Sequence, residues 1–286
     1  MVIGTPVAEF EPRPPHPVAH RPDIAADGWG TGQFTVRAAS VRGYQHRHDG
    51  TPRQDDFALA CHPGSGAVVA AVADGVSSVD LAHVGATLAC RNVVDQLLRT
   101  LDEDPSAAID WPDLMRCAGW ALVEFAAGQP EAGPGETAAD RAERLLATTL
   151  VVTVVRPRPD GAVADVAGIG DSPAWQLRGS AWHALLGEQD GEMVTPAVAA
   201  LPRVPAEVAV ASVELAGGDV LLLGTDGIGG ALGDGSGLVG AAFAGGLAQP
   251  PAPLDLAHLL DFSRETFDDD RTLVAVWPRG AEGEEP

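Results

Sequence analysis

The sequence predicts an α+β fold in which antiparallel sheets carry helices on their outer faces. Its strand-like segments come in blocks and its helical segments in pairs, so the strict alternation that builds a doubly wound parallel sheet is missing. Turn signals, rather than helices, separate most strands of the second half. The apolar runs are also acid-tipped: residues 67–73 end on Asp74-Gly75, the run from 220 ends on Asp226-Gly227, and residues 272–277 follow Asp268, Asp269 and Asp270.

Residues 1–32 hold six prolines and little periodic apolar character, so they are expected as a tail that buries too little surface to order itself. The folded part is expected to begin at Gln33, with strands over 34–40 and 57–61. Between them lies a polar loop, RGYQHRHDGTPRQDDF, with two histidines, three arginines and the pair Asp55-Asp56. Residues 67–73, AVVAAVA, show neither helical nor alternating period; their length and valine content read as a strand buried on both faces. Asp74-Gly75 in isolation suggests a type I′ hairpin turn. Here Ser77, Ser78 and Asp80 are helix-capping types ahead of a helical pattern, which argues against a hairpin.

Leu81, Val84, Leu88, Leu97, Leu98 and Leu101 line one side of a helix over 81–101. Pro112 suits the first turn of a second helix, whose stripe runs through Leu114, Ala118, Leu122 and Phe125. A Gly/Pro loop at 128–135 and a short helix over 140–146 follow. Strands are then expected over 150–155, 163–169, 174–178, 208–215, 220–223 and 272–277, with helices over 237–247 and 254–267. Residues 280–286 read as a short acidic tail.

With 286 residues, 45% of them apolar, the chain has ample material for a core without covalent staples. Its net charge is −22 and every cationic side chain is arginine, which argues against a nucleic-acid backbone or an anionic membrane as partner. Cys61, Cys90 and Cys117 are odd in number, far apart and outside any Cys-x-x-Cys, so they read as small core residues. No apolar run approaches the ~20 residues that span a bilayer, and the N-terminus lacks a basic stretch followed by an apolar one. A cytoplasmic location is therefore expected.

Carboxylates gathered without Lys or Arg between them repel one another, and at buried strand ends they need a cation among them. Oxygen donors select Mg²⁺, Mn²⁺ or Ca²⁺ over zinc or copper. Two such ions roughly 3.5–4 Å apart can share a carboxylate, acidify a bridging water and grip the oxygens of a phosphoryl group. The chain has no Gly-x-Ser-x-Gly elbow, no Cys-x5-Arg phosphate loop and no Walker-type glycine loop. The residues alone thus point to a metal-dependent phosphoryl or acyl hydrolase.

The motifs RQDDF, VADGVSS, ATTLVV, GIGDSPAW and LLLGTDGI, closed by DDDRTLVAV, follow the order found in one family. Over roughly residues 33–279 the chain resembles the metal-dependent type 2C serine/threonine protein phosphatases, the PPM family, and its divergent bacterial branch most. The resemblance implies a four-layer β-sandwich, two antiparallel sheets flanked by helices, with metals in a channel at one edge. It implies hydrolysis of phosphoserine or phosphothreonine on a protein by a metal-bound hydroxide, using Mn²⁺ or Mg²⁺. Asp74 would bridge two core metals, the Gly75 carbonyl would bind one of them, and Asp226 and Asp269 would complete the first. Asp55 would support the second largely through water, with Asp56 as the competing alignment. Asp171 would serve a third, weaker metal, and Thr148 and Thr149 would be structural.

The chain also departs from the family. The phosphate-binding arginine five residues before the opening aspartate is Gly50, so Arg53 or Arg47 would have to substitute. Val76 stands where some members have a histidine after Asp-Gly; His46 or His48 could supply a general acid, although a loop histidine is first expected to be solvated. Pro173 replaces the arginine of Gly-Asp-Ser-Arg, and Gly230 replaces the second acid of Asp-Gly-x-x-Asp, leaving the third metal short of a ligand. The flap between Gly187 and Pro205 is short. The expected partner is a phosphorylated protein substrate, a Ser/Thr kinase or one of its targets; a pseudophosphatase that binds or regulates without turnover is the alternative.

Overall fold

The computed structural model describes residues 1–16, 21–187 and 199–279. The chain begins with β1 (Ile24–Gly30), β2 (Phe34–Val41), α1 (Tyr44–Asp49), β3 (Asp56–Cys61) and β4 (Val68–Ala73). Three helices follow, α2 (Ala82–Glu103), α3 (Trp111–Ala127) and α4 (Ala138–Leu146). The strands β5 (Leu150–Arg158), β6 (Gly161–Ile169), β7 (Ala174–Arg178), β8 (Ala181–Leu186), β9 (Ala209–Leu215) and β10 (Asp219–Gly224) form the second block. Helices α5 (Asp226–Leu232), α6 (Leu238–Gly246) and α7 (Pro253–Leu260) precede the closing strand β11 (Arg271–Pro278).

Two antiparallel sheets result, one ordered β1-β2-β11-β10-β7-β8 and the other β3-β4-β5-β6-β9. They pack face to face. Val68, Ala70 and Val72 of β4 meet the same inter-sheet core as Val36, Leu221 and Val274 from the other sheet. Val69, Ala71 and Ala73 point the opposite way, into a core shared with Ala86, Val93 and Met115 of α2 and α3. Alternation is therefore present in β4, but both faces are apolar, which is why the sequence shows no period there. The outer face of the six-stranded sheet is covered by a third core that joins Leu222 and Ala275 to Ile228, Phe243 and Leu256 of α5, α6 and α7. The four layers expected from the sequence are present.

The expected tail is corrected by the structure. Strand β1 lies inside residues 1–32 and pairs with β2 from Ile24↔Val41 to Gly30↔Thr35. Upstream, Ile3 is buried in the outer core, and Ser263 N donates to the Met1 carbonyl at 2.7 Å while Glu265 N donates to Thr5 at 2.7 Å. Arg13 N and His16 N donate to Arg47 and Gly50 at 2.8 and 2.9 Å, and Phe10 sets its ring edge-to-face against Tyr44 and His48. Backbone pairing with distant segments, invisible in local composition, orders a proline-rich strap.

Further differences are local. The polar loop contains helix α1, β8 forms a hairpin with β7, and Asp226 is the first residue of the short helix α5. The helix expected to run to 267 stops at Leu260. There the buried guanidinium of Arg271 donates to the carbonyls of Leu260, Phe262 and Phe267, holding residues 261–267 as a loop. On α2, the face toward the sheet is built from small residues, Ala82, Ala86 and Ala89, whereas Leu81, Leu88 and Leu98 are only half-buried. All three cysteines are free thiols, with Cys90 buried. Among the described residues no helix is long and apolar enough to cross a membrane. Most of the expected flap and the 280–286 tail lie outside the described residues.

Candidate metal centre

Four acids meet at one end of the sandwich, two from each sheet. Asp55 precedes β3 and Asp74 follows β4 in the five-stranded sheet; Asp226 follows β10 and Asp269 precedes β11 in the six-stranded one. Burial, then the charges of Asp55 and Asp226, pushes the Asp74 carboxyl well above its ordinary range. Burial, then the charge of Asp270, does the same to Asp55. Asp269 is raised by burial and by Asp270, its neighbour in sequence. Burial is the first cause of each shift, and the neighbouring carboxylates add to it.

The backbone around each acid is fixed by hydroxyls. Asp74 N donates to Thr149 Oγ1 at 3.0 Å, and its carbonyl accepts from Thr149 N and Thr148 Oγ1, each at 2.8 Å. Thr149 Oγ1 also meets Ser172 Oγ at 2.6 Å, tying the Gly-Asp-Ser turn to the end of β4. Both threonines thus hold the frame of Asp74. Gly75, whose carbonyl was expected at a metal, is buried and bridged to Thr148.

Asp55 is only 1% exposed, and its Oδ2 accepts from Thr225 Oγ1 and Thr272 Oγ1, both at 2.8 Å. Its Oδ1 is buried with no hydrogen-bond partner among the described residues. Adjacent Asp56 turns to the other face of its strand, toward Thr87 of α2 and Arg21, which lies 3.5 Å away. Asp55, not Asp56, thus faces the other acids. Asp171 and Asp226 share a pocket of about 260 Å³ with Gly230 and Trp175, and burial, then the Asp226 charge, raises the Asp171 carboxyl. Gly230 offers no carboxylate there.

The loop from 42 to 56 overturns two sequence expectations. Arg53 is 3% exposed; its guanidinium donates to Ser40 Oγ and to the Asp55 carbonyl at 2.6 Å, so it braces the loop from behind and presents nothing to a phosphate. Arg47 pairs with Asp261 at 3.0 Å over the Tyr44 ring. His46 is not a solvated loop residue. It is buried on α1, with Nδ1 2.9 Å from Asp270 Oδ1 and Nε2 3.9 Å from Asp269 Oδ1. Burial alone would lower its pKa, but the hydrogen bond and charge of Asp270 outweigh that and raise it. The exposed His48 pairs with Asp49 at 2.8 Å.

Sequence reasoning missed Asp270, Thr225, Thr272 and Arg21. Asp270 accepts from Gly43 N and Gln54 N, both at 2.6 Å, and so pins the polar loop to the acid-bearing turn. Gly43 and Gly227 make that turn possible: a Cβ at Gly43 would lie 2.2 Å from the Asp269 carbonyl carbon, and one at Gly227 would lie 2.0 Å from the Asp270 oxygen. Arg21, from the strap, donates to the carbonyls of Arg53 and Asp55, the latter at 2.7 Å. Only the run Asp268–Asp270 carried a signal, as three acids in sequence.

The donors fit hard divalent cations. They are carboxylates with a backbone carbonyl nearby, their repulsion calls for positive charge, and the buried Asp55 Oδ1 is an acceptor with no donor among the described residues. The fold has counterparts among solved structures. A serine/threonine phosphatase of S. agalactiae is 16% identical, with TM-score 0.58 over 86% of this chain and 100% of that one. The catalytic domain of PstP, solved with two manganese ions, is 20% identical, with TM-score 0.56 over 86% and 98%. RsbX in complex with magnesium is 11% identical, with TM-score 0.56 over 89% and 100%. Among curated proteins none matches the chain. The sequence model of protein phosphatase 2C matches residues 42–260, from the loop that carries Asp55 to the end of α7, and the chain belongs to that family.

Proposed function

We propose that this chain is a Mn²⁺- or Mg²⁺-dependent protein phosphatase acting on phosphoserine and phosphothreonine. One observation carries the reading: Asp55, Asp74, Asp226 and Asp269 converge from both sheets, and burial with neighbouring carboxylates raises the carboxyls of Asp55, Asp74 and Asp269. In this reading Asp74, the Gly75 carbonyl, Asp226 and Asp269 would hold two cations, Asp55 would support the second, and Asp171 would serve a weak third site. The cations supply an acidified water and neutralise the charge of the phosphoryl group. The chain contributes position: Thr148 and Thr149 fix Asp74, Thr225 and Thr272 fix Asp55, and the exposed Asp171 and Asp226 open the centre to a protein-borne phosphate.

Mn²⁺-dependent release of phosphate from an aryl phosphate and from a phosphopeptide is the expected result. The burial of Arg53 favours a second reading, a pseudophosphatase that binds metal and a phosphoprotein without turnover. Tight Mn²⁺ binding with no phosphate released from any phosphopeptide would decide for that second reading.

A further inference from the structure

His46 differs in kind from the acids around it. The ring is 7% exposed, and both of its nitrogens face carboxylates. Asp270, on the Nδ1 side, is itself held by two backbone N–H groups at 2.6 Å, so it is a fixed acceptor rather than a mobile one. The Nδ1 contact is 2.9 Å long, although off the ideal hydrogen-bond line. A carboxylate this close to Nδ1 favours the proton on that nitrogen electrostatically, which in the neutral ring leaves Nε2 with its lone pair, as in metal-ligating histidines.

That other nitrogen, Nε2, stands 3.9 Å from Asp269 Oδ1. The separation is too long for an N–H···O hydrogen bond, which needs about 3.2 Å or less. A proton cannot close the gap. A cation at roughly 2.1 Å from each donor spans up to about 4.2 Å and can. Donor atoms of His46, Asp269 and Asp270 all lie within 4.8 Å of one another.

We propose that His46 ligates, through Nε2, the cation that Asp269 holds, with Asp270 as its positioning residue. The proposal rests on the reading of Asp269 as a metal ligand given above. An imidazole in an otherwise all-oxygen set shifts preference away from Mg²⁺ and toward first-row transition ions, so Mn²⁺, Fe²⁺ and Co²⁺ gain over Mg²⁺.

The test uses the full chain, stripped of metal and reloaded with Mn²⁺, with pulsed electron paramagnetic resonance as readout. A ¹⁴N coupling from a directly bound imidazole is expected in the wild type and absent in His46→Gln. Calorimetry should show Mn²⁺ bound ~10–100-fold more weakly by Asp270→Asn, the usual cost of losing a ligand's orienting partner, with a smaller change for Mg²⁺. Bound Mn²⁺ without ¹⁴N coupling in the wild type overturns the proposal and leaves the proposed function standing. Retention of the coupling in His46→Gln also overturns it, since another histidine would then be the ligand. No Mn²⁺ binding by the wild type overturns both. Should His46→Gln fail to fold, the wild-type spectrum and Asp270→Asn still decide.

Discussion

Ile3→Ala tests whether the N-terminal strap belongs to the fold. Ile3 is 7% exposed and lies in the outer core with Leu260 and Phe262, whereas its neighbour Val2 is 59% exposed. Truncating a buried isoleucine to alanine costs about 2–5 kcal/mol, and a site near a chain end relaxes easily, so about 2 kcal/mol is expected. For a domain of this size each kcal/mol lowers the melting temperature by roughly 2–4 °C, giving a drop of about 4–8 °C. Val2→Ala, at an exposed position, should stay within about 0.5 kcal/mol of wild type. Thermal unfolding followed by circular dichroism in the presence of a chelator measures both. If Ile3→Ala and Val2→Ala both melt within a degree of wild type, the strap contributes no packing and the composition argument for a tail stands.

Asp74→Asn is expected to stabilise the metal-free protein, because it removes one buried repelling charge, and, on the proposed function, to lower Mn²⁺-dependent turnover on the order of a thousandfold. The sign in pH follows: the folded pKa of Asp74 lies above its unfolded value, so its ionisation costs stability as pH rises from about 4, near the unfolded pKa, through the raised folded one. The stability difference between Asp74→Asn and wild type should therefore widen with rising pH in chelator titrations, and a constant difference would falsify the assignment. Arg53→Ala should lose roughly 2–3 kcal/mol of stability, the value of charged hydrogen bonds to buried acceptors. An unchanged melting temperature with a tenfold higher KM would instead restore Arg53 as a phosphate contact. Calorimetric titration should give two strong Mn²⁺ sites and one weak one. Gly230→Asp, whose Cβ would meet nothing closer than the Phe267 ring at 3.8 Å, should strengthen the weak site; three comparable sites in the wild type would refute this account.

The sequence by itself determined the layered α+β fold and the acids at its strand ends. A strand buried on both faces must be apolar throughout and must become polar where it emerges, so AVVAAVA followed by Asp74 is legible from neighbours alone. Asp226 and Asp269 were legible for the same reason. The partners of the polar residues were not. Arg53 reads as a free cation until Ser40 and the Asp55 carbonyl are seen to take its donors, and His46 reads as a loop residue until Asp270, over two hundred positions away, closes on it. The proline-rich strap reads as unstructured because its order comes from pairing with β2 and the 263–265 turn. Local propensity reports on residues a few positions apart, whereas a buried polar group is satisfied by whatever the tertiary fold brings within about 3 Å of it.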